Sequence, residues 1–271
     1  MSVRIRCSDL CDRFRRSVTA QHINLTSRFP ADPAIEPSTI EELCRRGFVA
    51  LRFPPNSTFE SIYAALILLG QVLPQNSEKG SPSFVVIRQL DSTASYIHSN
   101  FEQPLHTDKS FADQQPDLVA LHCVSQATEG GLTQLVSAAA AMEHLCSKHP
   151  TWDVMGLLLH ATFRFSRRGS QIHRPLLHRL PSGSFRIAFS PFCSFVECDP
   201  LAAELLGELV EYLAEPDNQT ILRLEPNEVL LVDNSAVFHG RTAFPRDSNR
   251  ELNRIHLRAR PDLLPSLGFS L

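Results

Sequence analysis

The chain is organised around one stretch near its C-terminus, Leu230-Leu231-Val232-Asp233-Asn234-Ser235-Ala236-Val237-Phe238-His239-Gly240-Arg241-Thr242-Ala243-Phe244. Its apolar run predicts a strand that delivers His239 into a turn. Three arginines follow at Arg250, Arg254 and Arg258. A histidine at the end of a strand is, by itself, more often structural than functional. Its role therefore depends on polar residues elsewhere in the chain.

The composition is that of a soluble protein with a sizeable core: 271 residues, 43% of them hydrophobic, and a mean hydropathy of -0.10. Because no repeat, low-complexity tract or clear boundary interrupts the chain, we predict one domain over 1–271. Residues 1–36 are expected to form a less regular N-terminal extension. A net charge of -3 gives no reason to expect nucleic acid or a membrane as partner. No signal peptide or membrane-spanning segment is recognised.

The cysteines are odd in number and scattered, and they form neither a disulfide framework nor a CxxC zinc pattern. Free thiols in a reducing cytoplasm are the simplest interpretation, so we predict a cytoplasmic protein. The seven are Cys7, Cys11, Cys44, Cys123, Cys146, Cys193 and Cys198.

The hydrophobic pattern predicts many short strands and a few helices. Helices are expected from Ser38-Thr39, from Ser57, from Ser137, and from Asp199-Pro200 to about Ala214. Strands are expected at 48–53, 84–87, 118–124, 132–136, 162–165, 185–189, 220–224, 229–232 and near 255–259. This pattern favours an α+β fold with a mainly β core, a sandwich or barrel wrapped by helices.

Two segments are candidates for binding loops. Residues 91–105 are polar, lack periodicity and lead directly into His106-Thr107-Asp108. A loop of that length inside a compact domain is more often a binding segment than a simple connection. Residues 167–179 are basic and are predicted to form a lid.

His106-Thr107-Asp108 supplies further candidate metal ligands. Residues i and i+2 of a strand point the same way, so His106 and Asp108 can converge on one ion. Two histidines and one carboxylate can hold Fe(II) on one face and leave positions for a bidentate acid and O2. With 11 His and 29 Asp plus Glu in the chain, about one H-x-[DE] is expected by chance. The triplet therefore needs support from other segments.

That support is a resemblance in four segments, in the correct order, to the taurine dioxygenase (TauD/TfdA) and clavaminate synthase-like family of Fe(II)/2-oxoglutarate oxygenases. The segment 105–111 is similar to the family's His-Thr-Asp segment, and 233–244 to its second metal segment. Gly130-Gly131-Leu132-Thr133 matches a Gly-Gly-x-Thr setting, and 38–70 is similar to the family's N-terminal block. The resemblance covers roughly residues 38–260.

The resemblance implies a double-stranded β-helix (jelly roll) flanked by helices, with His106, Asp108 and His239 as iron ligands. It implies that Arg250 pairs with the distal carboxylate of 2-oxoglutarate, where a guanidinium can bind in a bidentate manner. Thr133 would hydrogen-bond 2-oxoglutarate as well. Arg254 would either support Arg250 or bind an anionic group of the substrate.

The implied activity is that of a dioxygenase with Fe(II) as cofactor and 2-oxoglutarate and O2 as co-substrates. It would oxidise an unactivated C–H of a small, amino-acid-derived or anionic substrate of specialised metabolism, by hydroxylation, desaturation or cyclisation. Halogenating relatives carry a small residue in place of the carboxylate ligand, so Asp108 argues against halogenation. Further residues expected to line the substrate site are Tyr96, His98, Asn100, Glu102 and Phe111.

Two other functions are compatible with these residues. A site of two histidines and one aspartate could bind Zn²⁺ and hydrolyse a substrate. No Glu or His stands beside the ligands as an evident general base, however, and the arginines would be unexplained. A non-catalytic jelly-roll binding protein is the second alternative, which the intact candidate ligands make less favoured.

Overall fold

A computed structural model describes residues 27–28, 36–75, 82–90, 96–167, 170–191 and 199–271. Most of the N-terminal extension predicted over 1–36 lies outside these residues. So do Cys7, Cys11, Cys193 and Cys198, the first part of the 91–105 loop, and the side chain of Tyr96.

The described residues form five α-helices and fifteen strands. The helices are α1 (Pro37–Arg46), α2 (Phe59–Leu66), α3 (Ala138–Lys148), α4 (Val154–His160) and α5 (Pro200–Ala214). The first strands are β1 (Ser27–Arg28), β2 (Phe48–Arg52), β3 (Gly70–Val72), β4 (Val85–Arg88), β5 (Gln103–His106), β6 (Leu118–Ser125) and β7 (Thr133–Ser137). The remaining strands are β8 (Phe163–Arg167), β9 (Ser170–Arg174), β10 (Leu177–Arg179), β11 (Phe185–Ile187), β12 (Thr220–Leu222), β13 (Glu228–Asp233), β14 (Val237–Arg241) and β15 (Glu251–Ala259).

Two sheets make up the β core. In the described residues the larger has the order β1-β2-β13-β6-β15-β3, with β4 also pairing β15, and the smaller has the order β12-β7-β14-β5. Apart from the parallel pair β1–β2, their strand pairs are antiparallel. Two further hairpins, β8–β9 and β10–β11, lie outside these sheets. The predicted α+β fold, a double-stranded β-helix flanked by helices, is confirmed.

The larger sheet is apolar on both faces, and strand β13 shows why. Leu230 and Val232 belong to the core that also contains α3, α4 and α5, while Val229 and Leu231 belong to a second core with α1 and α2. Successive side chains of a strand point to opposite faces, so a strand that is covered on both sides reads as an unbroken apolar run. This is the physical reason for the run that precedes His239.

The starts of α3 and α5 agree with the sequence, because a side-chain cap forms at the predicted residue in each. Ser137 accepts a hydrogen bond from Ala140 N at the start of α3, and Asp199 accepts one from Leu201 N at the start of α5. The predicted start of α2 is wrong by one residue, since the cap is Thr58. The predicted cap of α1 at Ser38-Thr39 is also wrong, because Pro37 occupies the first turn and Glu36 precedes it without a side-chain cap.

The loop predicted over 167–179 is wrong in its conformation, because the described part of this segment forms strands, while its role as a lid stays a prediction. Strand β9 pairs with β8, and β10 pairs with β11. Ile172 of β9 packs against the core while its neighbours Gln171 and His173 are exposed. The described arginines Arg167, Arg174 and Arg179 therefore belong to strands, and the charge of the segment hid the alternation that a strand requires.

In the part of the chain that the structure describes, no helix has both the length and the apolar character needed to cross a membrane.

Candidate metal centre

The three predicted metal ligands lie together between the sheets. His106 ends β5, and His239, on β14, is its direct partner across the two antiparallel strands. Asp108 follows in a turn, rather than on the strand as the sequence suggested. All three are buried, and one potential ligand atom of each lies within 4.8 Å of the others. The Asp108 carboxylate lies 3.4 Å from His106 Nε2 and 3.8 Å from His239 Nε2.

Both imidazoles are suited to bind a metal. His106 Nδ1 lies 2.9 Å from the main-chain oxygen of Pro104. A carbonyl can only accept a hydrogen bond, so Nδ1 carries the proton and Nε2 keeps its lone pair. Burial, together with the charge of Arg254, lowers the pKa of His239, although hydrogen bonding to Asp108 opposes the shift. His239 is therefore neutral at physiological pH.

Asp108 is held as a carboxylate. Burial would raise its pKa, but the charge of Arg254 and the neighbouring side chains of His106, His239 and His256 keep the pKa of Asp108 well below its usual value. Arg254 Nη1 lies 3.2 and 3.1 Å from the two carboxylate oxygens. His256 Nε2 lies 2.8 Å from Oδ2. Two neutral imidazoles and one ionised carboxylate are the donor set that fits Fe(II).

The turn that carries Asp108 is fixed by side chains from distant segments. Asn234 Oδ1 accepts from Asp108 N at 2.7 Å, and Asn234 Nδ2 donates to the main-chain oxygens of Asp108 and Pro116, both at 3.1 Å. Thr107 Oγ1 accepts from Phe189 N at 3.0 Å. In the structure, Asn234 orients the carboxylate of Asp108 by bonding its main chain.

Arg250 is a buried guanidinium beside this centre. Its Nε donates to Gly131 O at 3.1 Å and to Gln126 Oε1 at 3.2 Å, and its guanidinium carbon lies 5.5 Å from the centre of the Phe244 ring. Burial lowers the pKa of Arg250 to about 10, so it stays charged at neutral pH. Among the described carboxylates, none forms an ion pair with Arg250, which leaves its charge available to an anionic ligand.

The residues predicted to bind 2-oxoglutarate line one cavity next to the metal ligands. Thr133 pairs with Arg241, two residues from His239 on the same strand, and therefore points to the same side as His239. The cavity is lined by Ile87, Gln103, Leu121, Thr133, His239, Gly240, Arg241, Arg250, Leu252 and Arg254.

The two glycines of the Gly-Gly-x-Thr segment make room for their neighbours: Gly131 for Arg250, and Gly130 for the main chain of Ala243. Gly130 and Gly131 have φ angles of 65° and 63°, which favour glycine. A Cβ on Gly131 would lie 2.7 Å from Arg250 Cδ. A Cβ on Gly130 would lie 2.1 Å from Ala243 O. Neither position accepts a larger residue without displacing its neighbour.

The predicted substrate residues differ in what the structure shows. Asn100 Nδ2 donates to Phe244 O at 3.1 Å, and His98 Nδ1 lies 3.2 Å from Arg88 O. These contacts brace the loop. Phe111 packs partly buried against the core. Among the described residues, Glu102 has no hydrogen bond of this kind. It is half-buried, and burial raises its pKa to about 7. Contact of these residues with a substrate stays a prediction.

Three residues contact the site in the structure although the sequence did not predict a role for them. His256 contacts Asp108, Gln103 lies 3.2 Å from His106 Nε2, and Arg241 Nη2 donates to Ser99 O at 2.9 Å. The sequence of strand β15 does indicate which way His256 points. Polar Arg254 and His256 alternate there with apolar residues that belong to the second core, the one that contains α1 and α2.

Two known proteins with similar sequences have names that refer to isonitriles. The chain is 28% identical over 198 residues to the tyrosine isonitrile desaturase of Pseudomonas aeruginosa, a match that spans 65% of this chain and 66% of that protein. It is 23% identical over 251 residues to the 3-((Z)-2-isocyanoethenyl)-1H-indole synthase of Fischerella ambigua, covering 82% of this chain and 88% of that protein.

A solved structure and a family model agree with the architecture. The structure of PvcB, described as an Fe, alpha-ketoglutarate dependent oxygenase from an isonitrile synthetic pathway, matches with a TM-score of 0.64 and 24% identity, over 87% of this chain and 86% of that chain. The family model of the taurine catabolism dioxygenase TauD, TfdA family matches residues 11–256. The chain thus belongs to the TauD, TfdA family and is an Fe(II)- and 2-oxoglutarate-dependent dioxygenase.

Proposed function

We propose that this dioxygenase oxidises an amino-acid-derived substrate that carries a carboxylate, and that it removes two hydrogens from it. The observation that supports the proposal most is the grouping of His106, Asp108 and His239 beside Arg250 and Arg254 in one buried site. The names of the two relatives above support an amino-acid-derived isonitrile as the first substrate to test.

In this proposal His106, Asp108 and His239 hold Fe(II). The bound metal, with 2-oxoglutarate and O2, supplies an oxidant strong enough for an unactivated C–H. A desaturation balances in atoms and electrons with these co-substrates. One oxygen atom of O2 leaves with the two substrate hydrogens as water, and the other enters succinate as 2-oxoglutarate loses CO2.

The protein positions the co-substrate. Arg250 binds its distal carboxylate, and Thr133 adds a hydrogen bond. Gly131 O and Gln126 Oε1 fix the Nε of Arg250, so its remaining N–H groups keep one direction. Apolar side chains of Ile87, Leu121 and Leu252 line the same cavity and keep water from it.

Arg254 links the metal ligand to the substrate. One of its terminal nitrogens is committed to Asp108, while its Nε is buried without a partner among the described residues. The guanidinium is fixed in place by Asp108 and can offer its other N–H groups to a substrate carboxylate. This assigns to Arg254 the anionic substrate group, and to Arg250 the co-substrate.

The test combines a binding and a turnover measurement. Fe(II) and 2-oxoglutarate, added without O2, should give a visible charge-transfer band that needs both. Succinate formation should then depend on a tyrosine- or tryptophan-derived isonitrile carboxylate, and far less on the free amino acids. A protein that retains zinc tightly and gives no band would instead be a hydrolase. Succinate formation that no isonitrile or amino acid stimulates contradicts the proposed substrate class.

Variants separate the roles. His106→Ala and Asp108→Ala should abolish 2-oxoglutarate turnover while the thermal unfolding transition remains. The control is His144→Ala, since His144 is exposed on α3, where its ring lies 4.8 Å from that of Tyr212 in a tilted arrangement. Arg250→Ala should weaken 2-oxoglutarate binding chiefly, and an unchanged affinity would move that role to Arg254.

Cytoplasmic location stays a prediction. It is supported by the free thiols of Cys44, Cys123 and Cys146 in the described residues.

A further inference from the structure

We propose that Gln103 is a further 2-oxoglutarate-binding residue, whose carboxamide donates a hydrogen bond to the metal-chelating end of the co-substrate. The inference rests on the proposed function. It assigns to the end of 2-oxoglutarate opposite Arg250 a contact from the protein that neither the motifs nor the family resemblance indicates.

A β-bulge brings Gln103 to the site. On β14, His239 and Arg241 are two positions apart, but their partners on β5, His106 and Gln103, are three apart. In a regular strand, residues three apart point to opposite faces. The extra residue on β5 cancels this difference, as β-bulges do. Gln103 and His106 therefore point into the same space.

Gly240 permits this bulge. It lies on β14 between the two paired positions, and a Cβ there would lie 2.7 Å from Gln103 O and 3.1 Å from Leu105 N. Any side chain at 240 would push β5 away and take Gln103 with it. The glycine that follows His239 in the sequence thus has a role that concerns Gln103.

Gln103 covers the nitrogen that would bind the metal. Its Nε2 lies 3.2 Å from His106 Nε2. Since His106 Nδ1 carries the proton, His106 Nε2 is an acceptor, and the amide nitrogen of Gln103 is the group that must face it. The carboxamide therefore faces the nitrogen of His106 that would bind the metal.

Metal binding takes that acceptor away. The Nε2 lone pair of His106 cannot serve a metal ion and an N–H donor together, so the amide of Gln103 loses its partner. It then lies beside the metal position, inside the cavity that also contains Thr133 and Arg250. Gln103 is partly buried, and a donor enclosed in a cavity costs free energy when it has no acceptor. A carboxylate or keto oxygen of the bound co-substrate is the acceptor that this cavity would receive.

The test measures the affinity of the Fe(II)-loaded protein for two 2-oxo acids, by anaerobic titration of the charge-transfer band. Gln103→Met keeps the length of the side chain and removes the donor. Its apparent Kd should rise about tenfold, equivalent to 1.4 kcal/mol, and by the same factor for 2-oxoglutarate and for 2-oxobutyrate, which lacks the distal carboxylate. Arg250→Ala should weaken 2-oxoglutarate much more than 2-oxobutyrate.

A second readout excludes a merely structural role. In the wild-type protein the Gln103–His106 hydrogen bond must break before Fe(II) binds, so Gln103→Met should bind Fe(II) at least as tightly as the wild type. The control is Gln134→Met: Gln134 lies on β7, bonds Gln219 and does not line the cavity. It should leave both 2-oxo acid affinities unchanged.

Several results would overturn the inference. Unchanged affinities for both acids in Gln103→Met would do so, and a raised KM for the substrate alone would then assign Gln103 to the substrate. A loss confined to 2-oxoglutarate would place Gln103 at the distal end. A parallel loss of Fe(II) affinity would indicate a structural role. A wild-type protein that gives no band with either acid would overturn the proposed function itself, and the two failures are therefore distinguishable.

Discussion

Asn234 binds both main-chain groups of Asp108, accepting from its N–H at 2.7 Å and donating to its carbonyl oxygen at 3.1 Å. The two residues lie far apart in the sequence, at the ends of strands from different sheets. One side chain thus aligns the carboxylate of the turn with His239, which follows Asn234 along the chain. The position of the metal ligands relative to one another depends on this amide.

Asn234→Ala should lower the Fe(II) affinity roughly 10- to 100-fold, the usual effect of losing a group that orients a metal ligand. Asn234→Asp keeps the acceptor for Asp108 N–H but loses both donated bonds, so its loss should be intermediate. Competition with a chromogenic Fe(II) chelator measures both. A lower Tm with unchanged Fe(II) affinity in Asn234→Ala would show that the amide serves the fold alone.

His256→Phe should lower the Fe(II) affinity by roughly tenfold or more, because Asp108 Oδ2 loses the histidine that lies 2.8 Å away. Phenylalanine fills most of the buried space and cannot donate. His256→Gln, which can donate through its amide, should recover part of the affinity. The prediction fails if the phenylalanine and glutamine variants bind Fe(II) equally well with equal Tm.

Gly131→Ala and Gly183→Ala form a matched pair. Both glycines have positive φ, 63° and 89°, so each alanine should cost about 1–2 kcal/mol in backbone strain. Only at Gly131 would the new Cβ meet Arg250, 2.7 Å from its Cδ, while nothing lies within 4 Å at Gly183. Gly131→Ala alone should therefore weaken 2-oxoglutarate binding, by tenfold or more. Equal affinities in the two variants would contradict the role of Arg250.

Glu102→Gln should change how stability depends on pH. Burial raises the pKa of Glu102 from 4.5 to about 7, so the folded state keeps a proton that the unfolded state releases above pH 4.5. The resulting stability is complete below pH 4.5 and is lost as the pH rises to about 7. The Tm of the variant relative to the wild type should therefore increase over this range and then level off. A constant difference from pH 4.5 to 8 would contradict the raised pKa.

The sequence predicts most of the elements whose pattern is set by burial. Strand β13 and helix α5 can be predicted from their apolar runs and caps. Apolar side chains are driven out of water in any fold, so their spacing reports the element. Strands β9 and β10 were missed. Their polar and basic residues weaken the alternation, and pairing with β8 and β11, not intrinsic preference, makes them strands.

The same division holds at the site. The types and order of His106, Asp108, His239 and Arg250 were recognisable because a metal and an anionic co-substrate demand particular donor atoms. The roles of His256 and Gln103 were not, since neither residue type is unusual where it stands. The role of His256 depends on which face of β15 points to the site, and the role of Gln103 depends on a bulge in β5.

By itself, the sequence predicted the chemistry: the candidate donor set, a cation for an anionic co-substrate, and a core made of short apolar strands. Those properties belong to residue types and to their spacing along the chain. Only the tertiary structure decided that Arg254 and His256 converge on Asp108, that Asn234 aligns it, and that Gln103 faces His106. The contacts to Asp108 join segments from opposite sheets, so they exist only once the two sheets have packed together. The approach of Gln103 to His106 requires the bulge that β5 forms where it pairs with β14.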